Sequence, residues 1–420
     1  MTKNLKSAYR TIMDDHFPER MEISFVFEKT RSTLIYEKVT WVVDGVRKGL
    51  RYGENPGQEA ALYKLINGNL VLGDVRTIAP GRYLVSEAEL LQAGKHPGKI
   101  NLTDADNALN ILGGIGRCMP DRPAAAIMKH NCPSGVAISQ TIADAYDKAD
   151  LADHLAAFGG CVALNRPVDL PTAEAIAERY AEVIVAPAYE EGAIAILSRR
   201  QNLRILRINN IRRLETISVD RFVDFTSLID GSIVAQLSYA PEIGGTADLL
   251  PAEVVHEGNT YRVHRAPNER EAEDMLFGWL VAAGVVSNSI LFVKDLVTVG
   301  IGAGEQDRVG AARIARDKAY RKMADRLAFQ RRGVVFDAIE EQTVRRDIQE
   351  DVEAEHGGLI GAAMVSDGFF PFRDGVEVGL REGVTAVIQP GGSRNDHDVI
   401  EACNEAGATM VFTGQRSFRH

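Results

Sequence analysis

Short apolar runs alternate with longer amphipathic segments from residue 104 to residue 412, and this alternation limits the possible folds more than any other feature of the sequence. Short apolar runs suit buried strands, whereas the longer segments repeat apolar positions at helical spacing. The predicted strands are 124–128, 161–164, 183–185, 203–208, 289–294, 360–365, 385–388 and 409–412. The predicted helices are 104–112, one from Val136, one capped by Asp169 with Pro171 in its first turn, 190–199, 271–283, 309–328, 375–382 and 396–406. This order predicts an α/β fold.

The second half of the chain repeats the order of the first. The segments EVIVAPAYEEGAIAILSRRQNLRIL and TAVIQPGGSRNDHDVIEACNEAGATMVF both run strand, proline, polar turn, helix and strand. Such a repeat predicts two similar lobes from an old duplication. We therefore expect an N-terminal extension at 1–45 with a polar, partly helical opening, a first lobe at 46–208 and a second lobe at 209–420. A charged helical insertion is expected at about 317–355 within the second lobe.

Composition excludes several classes of protein. The formal net charge is −10, and no Lys/Arg run resembles a nucleic-acid arm or a membrane-surface patch. No apolar run is long enough to cross a bilayer, and the N-terminus lacks the apolar core of a secretory signal. The four cysteines are scattered without framework spacing. We expect a cytoplasmic protein with reduced thiols that binds neither nucleic acid nor membrane.

Lys129 and His130 follow an apolar strand and precede a Pro-Ser-Gly turn that is predicted to open the helix from Val136. Open α/β sheets bind ligands at such strand ends. A neutral imidazole can accept a proton from an attacking amine, and an ammonium can stabilise an oxyanion. The alternative is a solvated loop cation beside a helix-entry histidine, and for an isolated Lys-His pair that alternative is favoured.

Two arginine-bearing segments could hold a phosphate. RYGENPGQ places Arg51 and Tyr52 before a turn, where a planar guanidinium could bind phosphate bidentately. The chain ends in TGQRSFRH, which carries Arg416, Arg419 and His420. The alternatives are a surface turn with an incidental arginine and a frayed terminus.

Other motifs are ambiguous or absent. The glycines of GIGAG at 300–304 allow close backbone approach to a ligand, a tight inter-strand crossing or a structural turn, and they lack dinucleotide-fingerprint spacing. SDGFFPFRDG at 366–375 offers aromatic positions for stacking on a flat heterocycle, or a hydrophobic plug under a loop. No zinc-deaminase signature and no G-x-S-x-G elbow is present, so we expect no catalytic metal. Cys132 is interpreted as a bystander thiol.

Taken in order, several blocks closely resemble the transformylase portion of the bifunctional AICAR transformylase/IMP cyclohydrolase family. AICAR is the phosphorylated aminoimidazole carboxamide ribonucleotide. The matching blocks are LRYGENPGQEAALY, KHNCPSGVA, AFGGCVALNRPVD, EVIVAPAYEEGAIAIL, SNSILFVKDLVTVGIGAGEQDRV, VSDGFFPFRDGVE and FTGQRSFRH. They cover most of residues 50–420, and their order makes chance resemblance implausible.

The resemblance implies transfer of a formyl group from the co-substrate 10-formyltetrahydrofolate to the 5-amino group of AICAR, giving FAICAR in purine (IMP) biosynthesis. It implies two cytidine-deaminase-like, three-layer lobes with mixed sheets and no zinc, and a homodimer with sites at its interface. A structural monovalent cation stays open. By matching position, the catalytic residues are His130 as proton acceptor, Lys129 as its charged partner and Asn288 as an orienting residue. The implied nucleotide-binding residues are Arg51, Tyr52, Gly159, Glu182, Arg308, Phe369 and Arg416, and the implied folate-binding residues are Phe158, Val309, Pro371 and Phe372.

The sequence departs from the family pattern at Gly57, Ser134, Glu182 and Glu305, which could tune affinity or folate preference. Only about 50 residues precede RYGENP, so we expect the cyclohydrolase domain to be missing and a separate protein to close the ring to IMP. Two alternatives stay open. The chain could be a catalytically degenerate AICAR-binding sensor or, less plausibly, an IMP cyclohydrolase.

Overall fold

The structure, a computed structural model, describes residues 11–12, 14–67, 70–72, 75–76, 82–217 and 221–420. The strands are β1 (Arg20–Val26), β2 (Arg31–Val39), β3 (Trp41–Val43), β4 (Val46–Lys48), β5 (Leu62–Leu65), β6 (Val71–Leu72), β7 (Val75–Arg76), β8 (Glu89–Gln92), β9 (Ala124–Lys129), β10 (Cys132–Ile138), β11 (Gly160–Leu164), β12 (Ala181–Ala186), β13 (Arg204–Arg207), β14 (Val223–Ser227), β15 (Ile233–Leu237), β16 (Leu250–Pro251), β17 (Glu253–His256), β18 (Asn259–Arg262), β19 (Ile290–Lys294), β20 (Val297–Gly302), β21 (Ala363–Ser366), β22 (Ala386–Gln389) and β23 (Thr409–Phe412). The helices are α1 (Lys99–Cys118), α2 (Ile142–Ala152), α3 (His154–Ala157), α4 (Leu170–Glu178), α5 (Ala193–Leu197), α6 (Leu214–Ile217), α7 (Glu269–Ala282), α8 (Arg308–Arg332), α9 (Gln342–Ala354), α10 (Arg373–Leu380) and α11 (Asp396–Glu405).

A mixed, twelve-stranded sheet forms the centre of the molecule, in the order β16-β23-β22-β21-β19-β20-β10-β9-β11-β12-β13-β8. Its two halves meet where β10 and β20 pair antiparallel, with Ala137 opposite Val297. Outward from this junction, each half has an antiparallel hairpin, three mutually parallel strands and an antiparallel edge strand. The two halves therefore share one strand order and one set of pairing directions. The likeness to cytidine deaminase and the domain boundaries stay predictions.

Helices cover both faces of the sheet. Alternate residues of β9 enter two different cores, because successive side chains of a strand point to opposite faces. Ala124, Ala126 and Met128 join the core beneath α1 and α7. Ala125 and Ile127 join the core beneath α2 and α4. In the second half, α8, α10 and α11 enclose a corresponding core.

Most of the predicted strands are confirmed, including 124–128, 161–164 and 183–185. The N-cap is confirmed too, since the Asp169 carboxylate accepts a hydrogen bond from the Thr172 amide at 2.8 Å and Pro171 lies in the first turn of α4. The helix from Val136 is wrong, because β10 occupies 132–138 and α2 begins at Ile142.

Two glycine-containing segments proved to be strands that helices approach closely. In β10, a Cβ on Gly135 would overlap the carbonyl oxygen of Ala149 in α2. In β20, Cβ atoms on Gly300 and Gly302 would overlap carbonyl oxygens of α8. The interpretation of GIGAG as a turn is therefore wrong for Gly300–Gly302, and these glycines serve strand–helix packing.

Helix was predicted in two segments outside the repeated pattern, the N-terminal extension and the charged segment at about 317–355. Within the predicted partly helical opening, residues 1–10 and 13 lie outside the described residues, and 14–19 form no regular element. An antiparallel sheet of β1, β2 and β5 follows. The charged segment 317–355 is largely helical, as predicted, although α8 begins earlier, at Arg308. No helix among the described residues is both long and apolar enough to cross a membrane.

Candidate functional site

One edge of the sheet collects the residues that the sequence singled out. We call it the site edge and define it as the side of the sheet where β9 ends at Lys129. This side is formed by strand ends and is distinct from the edge strands β8 and β16. Because β11, β12 and β13 run antiparallel to β9, they begin at this edge, and Arg204 stands opposite Val183 there. In the second half β19 begins at the site edge, whereas β20 and β21 end there.

His130 and Asn131 form a two-residue hairpin turn at the site edge. Both have left-handed backbone angles, φ 54° and 61°, as tight hairpins require. The buried Asp104 carboxylate accepts hydrogen bonds from the amides of Asn131, at 2.5 Å, and His130. Burial raises the pKa of Asp104, and the amide hydrogen bonds oppose that effect. The hydrogen bonds to the buried Asp104 carboxylate hold the turn in place, while the His130 side chain is exposed to solvent.

Lys129 and Cys132 flank this turn and pair with each other across the hairpin. The Lys129 ammonium donates to the carbonyl oxygen of Phe158 at 2.8 Å, which directs it along the site edge. Burial raises the pKa of the Cys132 thiol, so its reactive thiolate form is disfavoured. This agrees with the interpretation of Cys132 as a bystander.

A first cluster of predicted residues lies along the first half of the site edge. Phe158 packs on Tyr180 with ring centroids 4.8 Å apart, and the Tyr180 hydroxyl is hydrogen-bonded to Glu182. The Glu182 carboxylate accepts from the Arg204 guanidinium at 3.1 Å. Gly159 lies beside the same tyrosine, with φ 75°. The first cluster comprises the predicted residues Lys129, Phe158, Gly159, Glu182, Arg51 and Tyr52, and Tyr180 and Arg204 pack against it.

Arg51 and Tyr52 lie at the N-terminus of the long helix α1. The Tyr52 carbonyl accepts from the amide of Lys99, the first residue of α1, at 3.0 Å. The Arg51 guanidinium lies 4.5 Å from the Tyr52 ring centroid and donates to the Lys95 carbonyl at 3.3 Å. A helix N-terminus beside an arginine favours an anion.

A second cluster surrounds Arg308, which is only 7% exposed. Its guanidinium donates to the buried carboxylate of Asp367 at 2.6 Å, to the Ser366 hydroxyl at 2.8 Å and to the Asn288 side-chain oxygen at 2.7 Å. The Asn288 amide group in turn donates to the Glu305 carbonyl at 3.0 Å. Arg308 therefore orients Asn288, and both terminal nitrogens of its guanidinium already have partners within the protein.

The C-terminal tail packs across the second cluster, so the alternative of a frayed terminus is wrong. The Ser417 amide donates to the Asp367 carbonyl at 2.9 Å. The Arg419 guanidinium donates to the carbonyl of Gly284 at 2.9 Å and to the side chain of Asn131 at 3.0 Å, which ties the tail to the His130 turn. Arg416 stays exposed, with its guanidinium 4.9 Å from the Phe418 ring centroid.

The predicted folate-binding residues include unusually exposed aromatic side chains. Phe158 is 61% exposed and Phe372 is 60% exposed, and Phe369 is also exposed at the end of β21. Phe370, which lies between Phe369 and Phe372 in the sequence, is fully buried and packs in the core of the second half. Pro371 and Val309 lie at the starts of α10 and α8, beside the same edge. The segment 366–375 therefore contains both a core residue, Phe370, and two exposed rings, Phe369 and Phe372.

Glu182 of the first cluster and Asp367 of the second lie far apart within one chain. Six interstrand spacings separate β12, which carries Glu182, from β21, which ends beside Asp367. At about 4.8 Å per spacing this is roughly 29 Å along the sheet. The His130 turn lies between the clusters. No group of three or more His, Cys, Asp or Glu side chains suited to a metal ion occurs within the described part of the chain.

Sequence reasoning missed the residues that hold the others in place. Asp104, Arg204 and Asp367 were not singled out, although they contact the predicted site residues His130, Glu182 and Arg308 respectively. Asp104 had a detectable signal, because it occupies the same place in α1 as Asp274 in α7, and both helices precede a hairpin. Comparison of the two halves of the sequence could have found it.

The protein is thus a mixed α/β protein, and one side of its sheet carries a histidine turn, arginines and exposed aromatic rings. The chain belongs to the AICARFT/IMPCHase bienzyme family, whose sequence model matches residues 7–318.

Its relatives include three proteins named bifunctional purine biosynthesis protein PurH. That of Ruegeria sp. (strain TM1040) is 38% identical over 89% of this chain and 60% of its own length. That of Bacillus subtilis (strain 168) is 35% identical over 94% of this chain and 61% of its own. That of Agrobacterium fabrum is 35% identical over 99% of this chain and 64% of its own. The chain thus spans about three fifths of the length of these relatives.

Proposed function

We propose that this protein transfers the formyl group of 10-formyltetrahydrofolate to the 5-amino group of AICAR in purine biosynthesis. The observation that supports the proposal is that one edge of the sheet carries the exposed His130 on its fixed turn beside Lys129, with one arginine-bearing segment on one side of the turn and Asn288 with the other arginine-bearing segment on the other side. Membership of a family that is named for this reaction and for IMP cyclohydrolysis supports it.

In the proposed reaction the amine nitrogen of AICAR attacks the formyl carbon. His130 accepts the proton that the amine loses, because a neutral imidazole is a suitable base near neutral pH. Lys129 stabilises the negative charge that develops on the formyl oxygen. The bond from the formyl carbon to N10 of the folate then breaks, N10 takes up a proton, and FAICAR and tetrahydrofolate leave.

The surrounding residues bind and orient the two substrates. Asn288, held by Arg308, orients the carboxamide of AICAR, and Arg51 and Arg416 bind its phosphate. The exposed rings of Phe158 and Phe372 pack against the flat pterin of the folate.

We further propose that two copies of the chain share each site as a homodimer. Arg51 belongs to the first cluster, whereas Arg416 is one residue from Ser417, which bonds to Asp367 in the second. Arg51 lies near Arg204 of β13, which is beyond β12, and the roughly 29 Å between β12 and β21 exceeds the combined reach of two arginine side chains around one phosphate. A two-fold axis would place the first cluster of one copy against the second cluster of its partner.

The test is to incubate the purified protein with AICAR and 10-formyltetrahydrofolate and to identify the product by mass spectrometry, with a control lacking the folate. Folate-dependent formation of FAICAR is expected. Tight AICAR binding without turnover would indicate a sensor instead. Formation of IMP from supplied FAICAR would indicate cyclohydrolase activity.

A further inference from the structure

Arg204 is a buried cation beneath the first cluster that the proposed reaction does not use. It begins β13 at the site edge and is only 1% exposed. Its guanidinium donates to the Glu182 carboxylate at 3.1 Å, to the Glu182 carbonyl at 3.3 Å and to the His96 carbonyl at 3.4 Å. An arginine this deeply buried is rare unless its charge is paired and hydrogen-bonded.

The pairing around Arg204 is incomplete. Its second terminal nitrogen is buried without a hydrogen-bond partner among the described residues, and so is Nδ1 of the neighbouring His96. Burial lowers the pKa of Arg204, and the positive charge of Arg51 adds to this effect while Glu182 opposes it. A buried guanidinium that is imperfectly satisfied and close to a second arginine costs stability. Glu182 is the counter-charge that holds it.

The Glu182 side chain reaches the surface. It is 33% exposed, whereas its partner Arg204 is not accessible to a ligand. The carboxylate therefore faces the buried guanidinium, is also hydrogen-bonded to the Tyr180 hydroxyl, and keeps part of its surface exposed at the site edge. A carboxylate fixed in this way can accept hydrogen bonds from hydroxyl groups of a nucleotide sugar.

We propose that Arg204 is a positioning residue for nucleotide recognition, which fixes the Glu182 carboxylate at the site edge. The proposal rests on the proposed function, because Glu182 is taken to contact AICAR. It assigns Arg204 no contact with either substrate. Replacement of Arg204 should therefore weaken AICAR binding and leave the chemical step and folate binding largely unaffected.

The test compares Arg204→Met and Arg204→Lys with the wild type, measuring kcat, KM for each substrate, AICAR affinity by calorimetry and thermal unfolding. Arg204→Met should raise the AICAR KM by about tenfold or more while kcat and the folate KM change by less than about threefold. Arg204→Lys should recover part of the loss, since it restores the charge without the planar fork. It also keeps the test valid if the methionine variant does not fold.

Arg207→Met is the matched control. Arg207 ends the same strand at the opposite edge of the sheet, where it pairs with Glu89 on the surface. Its loss should leave every kinetic constant unchanged.

A double-mutant cycle separates positioning from general destabilisation. In the Glu182→Gln background, Arg204→Met should change the AICAR KM by less than about twofold, because the carboxylate that it positions is already gone. An undiminished effect in that background, or an unchanged AICAR KM in the single variants, would overturn the proposal. A wild type that neither binds nor converts AICAR would contradict the proposed function and this inference together. A wild type that turns over normally beside an Arg204→Met variant with an unchanged KM would contradict only the inference.

Discussion

At the residue scale, two buried aspartates hold two equivalent turns. Asp104 accepts hydrogen bonds from the amides of the His130 turn. Asp274 accepts from the amides of Asp295 and Leu296, at 3.1 and 2.7 Å, in the corresponding turn between β19 and β20. Both turns have two left-handed residues, but only one of them carries a histidine at the site edge.

This equivalence provides a matched pair of substitutions. Asp104→Asn and Asp274→Asn should each lower the free energy of unfolding by about 1–3 kcal/mol, because each turn loses a charged acceptor. Only Asp104→Asn should also lower turnover, by about tenfold, since it releases the turn that presents His130. Urea unfolding and steady-state kinetics on both variants check this. Equal losses of turnover would mean that the turn has no special part in the reaction.

At the element scale, the start of α7 combines a helix cap with an ion pair. The Asn268 side chain accepts from the Glu271 amide, and the Glu271 carboxylate accepts from the Asn268 amide at 3.0 Å and from Arg265 at 2.6 Å. Burial alone would raise the pKa of the Glu271 carboxyl, but the hydrogen bonds from Arg265 and Asn268 outweigh it and lower the pKa. The folded state therefore favours the ionised carboxylate.

The pH dependence of stability follows from the lowered pKa of Glu271 in the folded state. The stabilisation by Glu271 is fully present above the ordinary glutamate pKa of 4.5 and is lost as the pH falls through the lower pKa of the folded state. Glu271→Gln should therefore be less stable than the wild type at pH 7, by about 1–3 kcal/mol, with a gap that shrinks below about pH 4.5. Glu269→Gln, in the exposed part of the same turn, is the control. A gap that stays constant in urea unfolding from pH 7 to pH 3 would refute the assignment.

The elements also show what the sequence could and could not predict. Strands such as β9 and β11 were predictable, because their apolar runs lie between polar segments. The two central hairpins were missed, since His130–Asn131 and Asp295–Leu296 contain no glycine to mark a two-residue turn. The apolar run after Val136 was therefore assigned to a helix. For the site, local motifs and family resemblance located exposed residues such as His130, whereas Arg204 owes its place to contacts between distant segments.

At the scale of the whole molecule, the separation of the two clusters predicts that inactive copies can complement each other. Arg51→Ala and Arg416→Ala should each bind AICAR poorly. Co-expressed, they should form mixed dimers in which one site receives both intact arginines. About a quarter of wild-type activity should then return at low AICAR concentration, for random pairing of copies in a two-fold dimer. Activity no higher than the mean of the two separate variants would indicate that each site belongs to one chain.

The proposed mechanism depends on His130 as the group that takes the proton from the AICAR amine. The most direct test is the turnover number of His130→Ala with AICAR and 10-formyltetrahydrofolate, measured beside the AICAR affinity of the same variant. We predict a loss of about 10²- to 10⁴-fold in turnover with AICAR affinity changed by less than about threefold. Turnover within a few fold of the wild type would contradict this role of His130.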